Sequence, residues 1–289
     1  MRPLEVKMHR HPHFDLLLHD DRELASYLQS DIVERRTLHQ WPLSCVQQLT
    51  MADGRKAIYK VQFGPTVESE FYAEARSPLL PWAETIYQSD GYVCMLFEFL
   101  EGPLLEKLDL PEEQVVQVGR AVMDQIANIG GELPHYLDVS TESKWEELII
   151  ALARDLRALV DQRRFTIVDR PTVRALERWA LSEAILSAIR TRPGYVHRDL
   201  GGDNLFVLPD GYRVIDWQRP ILGPTDLDLA SLLESLGCDP LKHVDRGVIR
   251  VLCLLHVRWL TECATRWFPQ GTKGYDQQIM GLAALIDRG

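Results

Sequence analysis

His197-Arg198-Asp199-Leu200-Gly201-Gly202-Asp203-Asn204, followed after a short gap by Asp216, concentrates the chemistry-bearing side chains of this chain. Acids and an asparagine there stand at or beside the strongly apolar runs LFVL and YRVIDW. A buried acid is costly unless something pairs with it. A metal ion together with a phosphate is one answer, and the surrounding elements must support it.

LFVL and YRVIDW flank Pro209-Asp210-Gly211, a turn signal, which predicts a β-hairpin. Asn204 stands just before the first strand and Asp216 at the end of the second. Antiparallel strands joined this way put both ends side by side, so Asn204 and Asp216 are expected to be neighbours. Asp199 lies on the preceding loop, where Gly201 and Gly202 permit a tight turn.

Upstream, SCVQQLTM and RKAIYKVQF flank Ala52-Asp53-Gly54, a strong hairpin signal. The second run alternates, with Ala57, Tyr59, Val61 and Phe63 on one face and Ile58, Lys60 and Gln62 on the other. VESEFYAEARSPLLP predicts a short helix ended by Pro81. AETIYQ and YVCMLFEFL form another hairpin about Ser89-Asp90-Gly91, and FDLLLHDDRELASYLQ predicts a leading helix. After Glu101-Gly102-Pro103 the pattern turns helical. Stripes such as Val115, Val118, Val122, Ile126 and Ile129, or Trp145, Leu148, Leu152, Leu156 and Leu159, have helical spacing and belong to a core. TVRALERWALSEAILSAIR predicts a further helix, stopped by Pro193-Gly194. The expected fold class is α+β, with a β-rich part over residues 1–100 and a helical part over residues 101–289 that carries the catalytic and metal-binding loops.

The 289 residues include 46% hydrophobic and 26% charged side chains, ordinary for a globular protein. A net charge of -10 argues against nucleic acid, which rewards Lys and Arg clusters. Five cysteines, an odd number without a CxxC pair, fit a reduced, cytoplasmic protein. No secretory h-region is read near the start. The apolar run VIRVLCLLHVRWL is too short to span a bilayer and contains Arg250 and Arg258, so no membrane partner is expected. His9, His11, His13 and His19 complete no known metal spacing, and surface histidines are the simpler reading.

His197 to Asn204 fits H-R-D-x-x-x-x-N, the kinase catalytic loop, and Ile215-Asp216-Trp217 looks like the metal-binding aspartate after it. The Ile-Asp-Trp ending resembles the aminoglycoside phosphotransferase and choline kinase family, small-molecule kinases with a bilobal, protein-kinase-like fold. The resemblance runs from about residue 35 onward. It implies ATP and Mg²⁺ as cofactors and a hydroxyl on a small molecule, aminoglycoside-, choline- or sugar-like, as acceptor. Asp199 would orient that hydroxyl and accept its proton. Asn204 and Asp216 would hold Mg²⁺, a hard cation that prefers oxygen ligands. Lys60 in AIYKV matches the strand lysine that binds the α/β-phosphates, with Glu70 as its partner and Glu74 as the rival. Phe97-Glu98-Phe99-Leu100-Glu101-Gly102 fits the hinge, where Glu98 and Leu100 would bind adenine through main-chain atoms.

Two departures stand out. LHQWPLSCVQQL has no glycine where kinases cover the phosphates, so Trp41-Pro42-Leu43-Ser44 would have to serve. This keeps a nucleotide-binding or regulatory pseudokinase as the alternative. After Asp216 there is also no long activation segment, which disfavours a protein substrate. Asp228-Leu229-Ala230 resembles the D-L-A that opens the next helix in relatives. Asp239, His243, Asp245, Trp259, Glu262 and Trp267 are acceptor-pocket candidates, although core and helix-surface roles explain them as well.

Overall fold

The computed structural model describes residues 8–89 and 91–288. In chain order these form Met8–Arg10 (β1), Leu17–His19 (β2), Asp21–Leu28 (α1), Ile32–Trp41 (β3), Ser44–Met51 (β4), Lys56–Phe63 (β5) and Glu68–Glu74 (α2). Next come Ala83–Ser89 (β6), Tyr92–Glu98 (β7), Glu112–Ala127 (α3), Leu137–Asp138 (β8), Glu142–Asp161 (α4), Arg170–Ala180 (α5) and Glu183–Arg190 (α6). Pro193–Val196 (β9), Leu205–Leu208 (β10), Gly211–Val214 (β11), Ile221–Pro224 (β12), Asp226–Ser235 (α7), Arg246–Glu262 (α8) and Thr272–Arg288 (α9) complete the chain.

Contacts divide the chain into two compact units. One runs through Leu105 and takes in Asn128–Tyr136 and Asp203–Arg219; the other comprises Glu106–Ala127, Leu137–Gly202 and the chain from Pro220 onward. The sequence suggested a break near residues 100–104 with everything later in the helical part. The hairpin β10–β11 departs from that: Val214 N–H donates to Leu79 C=O at 2.9 Å and Val207 N–H to Pro103 C=O at 3.0 Å. Backbone pairing thus ties it to the sheet-bearing unit.

The first unit is built on an antiparallel sheet of order β3-β4-β5-β7-β6. The Asp53-Gly54 turn forms as expected, with Gly54 at φ +85°. The turn at Ser89-Asp90-Gly91 includes Asp90, which lies outside the described residues, as do residues 1–7. Leu16, Leu18 and Leu24 pack with Tyr59, Val61, Cys94 and Leu96 on one face of the sheet. Tyr72 of α2 packs with Ile58, Val93, Met95 and Phe97 on the other. Both faces of β5 are therefore covered. The leading helix begins only at Asp21, where the Asp20 side chain caps it by accepting from Glu23 N–H. The residues before it pair instead as β1 and β2. Likewise α2 ends at Glu74, with Ala75 after it extended at ψ 138°, and does not reach Pro81.

In the second unit the stripes are core in the main: Val115, Val122 and Ile126 are buried on α3, Val118 and Leu148 are partly covered, and Ile129 falls past the end of α3 in the first unit. Trp145, Leu152, Leu156 and Leu159 are buried along α4, and Trp145 Nε1 donates to Ala180 C=O at 2.9 Å. The expected single helix over 172–190 divides into α5 and α6 at Leu181-Ser182, where Ser182 takes the extended N-cap conformation. A three-stranded sheet, β8-β12-β9, also forms. Most of α8 is buried, and α6, α7 and α9 pack on it. The five cysteines form no disulfide. No helix among the described residues is long and apolar enough to cross a membrane.

Candidate active site

Lys60 sits on the α2-covered face of β5 and is 6% exposed. A buried ammonium needs charge partners, and it has two within the first unit. Its Nζ lies 2.7 Å from Glu68 Oε2 and 2.5 Å from Asp216 Oδ1. Burial alone would lower the lysine pKa, but Asp216 and then Glu68 outweigh it and hold it above its ordinary value. Burial pushes the Glu68 carboxyl up, against the pull of Lys60.

Glu68 thus takes the place expected of Glu70. Two residues along a helix turn a side chain by roughly 200°, so Glu68 and Glu70 face opposite ways. Glu70 is exposed and accepts from Ser69 Oγ at 2.8 Å and Gln88 Nε2 at 3.0 Å. Glu74 is exposed as well.

In the β10–β11 hairpin, Leu205 pairs with Val214 and Ile215 N–H donates to Asn204 C=O at 3.0 Å. Asn204 and Asp216 accordingly leave the same end of the hairpin, as expected. Asp216 adopts φ +70°, uncommon for a residue other than glycine. Trp217 behind it is fully buried and stacks on Phe71 at 4.4 Å and 12°. Val67 N–H donates to Gln218 C=O at 2.9 Å, tying the start of α2 to the residues after Asp216. An amide oxygen and a carboxylate suit Mg²⁺, which binds through a few protein oxygens and keeps several waters. Among the described residues no group of three or more His, Cys, Asp or Glu side chains could hold a metal ion.

Glu98 ends β7, with its N–H donated to Trp82 C=O at 3.0 Å, and Phe99 and Leu100 follow. Lys56 Nζ lies over the Phe99 ring at 5.0 Å. The glycine-free segment is a tight turn, Pro42-Leu43, between β3 and β4, with Trp41 paired to Ser44.

Asp199 belongs to the second unit. Its loop is held at three points. Asp228, 1% exposed on α7, accepts His197 N–H at 2.9 Å and Arg198 N–H at 2.8 Å. Arg198, at φ +75°, reaches Leu255 C=O on α8 at 3.4 Å. Gly202 N–H donates to Ser235 Oγ at 2.9 Å. Burial pushes the Asp228 carboxyl up to about 6, although His197 and the two N–H donors oppose the shift. Asp228 was visible in sequence only as part of D-L-A, and its clamp on the loop was not foreseen. Nor was His256, whose pKa is lowered by burial and by Arg198, with Asp199 opposing.

The suggested pocket candidates are mostly engaged elsewhere. Asp239 and Asp245 cap helices, His243 contacts Glu112 at 2.9 Å and Glu262 pairs with Arg258 at 2.9 Å.

Comparison with known proteins bears on the fold and the family. A search of the curated proteins finds no significant match. Among solved structures, a thermostable mutant of an aminoglycoside phosphotransferase, in ternary complex with AMP-PNP and hygromycin B, is 19% identical. That match covers 93% of this chain and 98% of the other, with a TM-score of 0.61. A choline/ethanolamine kinase family protein from Mesorhizobium loti is 11% identical over 88% of each chain, at 0.60. A spectinomycin phosphotransferase in complex with ADP and spectinomycin is 14% identical over 93% of this chain and 98% of the other, at 0.53. The fold is therefore α+β and protein-kinase-like. The model of the phosphotransferase enzyme family matches residues 69–260, well over half of the sequence, and the chain belongs to that family.

Proposed function

We propose that this protein is a small-molecule kinase that moves the γ-phosphate of ATP, with Mg²⁺, to a hydroxyl group. The observation that carries the reading is Lys60, buried and bridged between Glu68 at 2.7 Å and Asp216 at 2.5 Å. A lysine so placed has a fixed position from which to meet phosphate oxygens. Mg²⁺, when bound, supplies positive charge against the phosphate oxygens; Asn204 Oδ1 and the Asp216 carboxylate would hold it. Glu98 C=O and Leu100 N–H would take the base edge of the nucleotide. Asp199 accepts the proton of the acceptor hydroxyl as its oxygen bonds to the γ-phosphorus and the bond to the β-phosphate oxygen breaks, leaving ADP. Asp228 fixes the backbone before Asp199, so the carboxylate is presented from a held loop. Relatives of this fold bind hygromycin B or spectinomycin, which supports an acceptor rich in hydroxyl groups.

A second reading, nucleotide binding without turnover, is favoured by the Pro42-Leu43 turn. It lacks glycine, and proline carries no N–H to offer a phosphate. Calorimetric titration with ATP, with and without Mg²⁺, tests the first requirement. Metal-dependent binding in the wild type, lost in Asp216→Ala, is expected; equal affinity with and without metal in the wild type overturns the metal site. Binding without ADP release across antibiotic, choline and sugar acceptors puts the second reading first.

A further inference from the structure

Gln62 is a buried amide to which the phosphotransfer reading gives no role. It is 2% exposed, two residues after Lys60 on the same face of β5. Its Nε2 donates to Glu68 Oε2 at 2.7 Å, the same oxygen that lies 2.7 Å from Lys60 Nζ. Only a weak second contact, 3.9 Å to the sulfur of Met95, adds to this. Gln62 Oε1 and Glu68 Oε1 are both buried without a hydrogen-bond partner.

The donated hydrogen bond to a buried carboxylate is stabilising, and the unused acceptor offsets part of that. A buried amide with its acceptor unused carries a desolvation cost, which a leucine of similar volume avoids. What the amide does supply is a donor aimed at one carboxylate oxygen. Glu68 is the first residue of α2; Thr66 Oγ1 accepts its backbone N–H at 3.1 Å, while its carboxylate is held by Lys60 and Gln62. Lys60 is shared between two carboxylates, so its position depends on how firmly each is held.

We propose that Gln62 is a positioning residue for the nucleotide site: its amide pins Glu68 Oε2, and the pinned carboxylate keeps the Lys60 ammonium where it can meet a phosphate. Lys60, Gln62 and Glu68 act as a three-member clamp, with Gln62 touching no substrate itself. The inference rests on the nucleotide-binding reading of Lys60.

Calorimetry with Mg²⁺ and AMP-PNP, alongside thermal unfolding of the unliganded protein, tests this in the wild type, Gln62→Leu, Lys60→Met and the double variant. Gln62→Leu is expected to weaken nucleotide binding about tenfold with only a small fall in Tm. In the Lys60→Met background the same substitution is expected to cost nothing further, because its effect passes through the lysine. Gln62→Met reads the same quantities if leucine is not accommodated. Unchanged affinity, a loss that persists without Lys60, or a Tm that falls in step with affinity overturns the proposal. A wild-type protein that binds no nucleotide is distinguishable from all of these, and overturns the phosphotransfer reading together with the clamp.

Discussion

The buried polar groups around Lys60 and those around Asp276 are finished in different ways. Asp276, on α9 and 1% exposed, accepts the N–H groups of Thr166, Ile167 and Val168 at 2.6, 2.8 and 2.8 Å. Both oxygens of that carboxylate are used, and what they hold is the chain between α4 and α5. Around Lys60, by contrast, Gln62 Oε1, Glu68 Oε1 and the Tyr72 hydroxyl are buried without partners. Native proteins leave few such groups, and here three of them gather around one ammonium. Asp228 stands between the two cases. Its oxygens are engaged by backbone N–H groups like those of Asp276, but the loop it holds carries Asp199. The contrast separates a carboxylate that fastens the fold from a cluster arranged around something else.

Substitutions can break that contrast. Asp199→Asn, the largest effect, is expected to lower transfer about a thousandfold or more while leaving ATP affinity intact; steady-state ADP release and calorimetry together check it, and ordinary turnover would sink the proposed base. Asp276→Ala is expected to cost about 3 kcal/mol of unfolding free energy, read by denaturant titration, with turnover per folded molecule unchanged. A shifted KM for ATP in that variant would erase the distinction between the two regions. Asp228→Asn sharpens it, since displacing a catalytic loop slightly is expected to cost about a hundredfold in kcat with KM for ATP kept.

The smallest effect is a pH response of opposite sign in the two units. The Asp228 carboxyl is raised from 3.8 to about 6, so the folded state keeps its proton longer and this contribution to stability falls as pH rises through that window. His19, buried against the Tyr59 hydroxyl at 2.7 Å, is lowered to about 4, chiefly by burial and then by Arg35. The folded state sheds that proton early, so its contribution is lost as pH falls from 6.5 toward 4. Hydrogen-exchange protection measured at pH 4 and 6.5 should rise with pH near Tyr59 and fall near Val196, by about 1–2 kcal/mol each. Parallel trends would show that other groups dominate.

The short-range parts of this arrangement were legible in the sequence. Asp53-Gly54 and Pro209-Asp210-Gly211 carry their turn chemistry locally, so β4–β5 and the Asn204/Asp216 hairpin could be read directly. Alternation put Lys60 on one face of β5. Glu68 could not be told from Glu70, because the choice depends on where α2 begins, and Val67 gives no capping signal there. Strand β3 escaped notice because it is an edge strand with little burial to impose alternation; only Ile32, Arg35 and Trp41 are partly covered. The clamp of Asp228 on the loop joins residues 31 positions apart, and nothing in either stretch announces the partner.

The hairpin that completes the first unit has a consequence for how the protein is made. Its residues, Asp203–Arg219, follow α3 through α6 in the chain. As the polypeptide leaves the ribosome, the sheet emerges early, yet the berth of Trp217 beside Phe71 stays vacant until much of the helical unit has been translated. The first unit therefore cannot finish as a nascent domain in simple order: its last packing contact waits on chain made later.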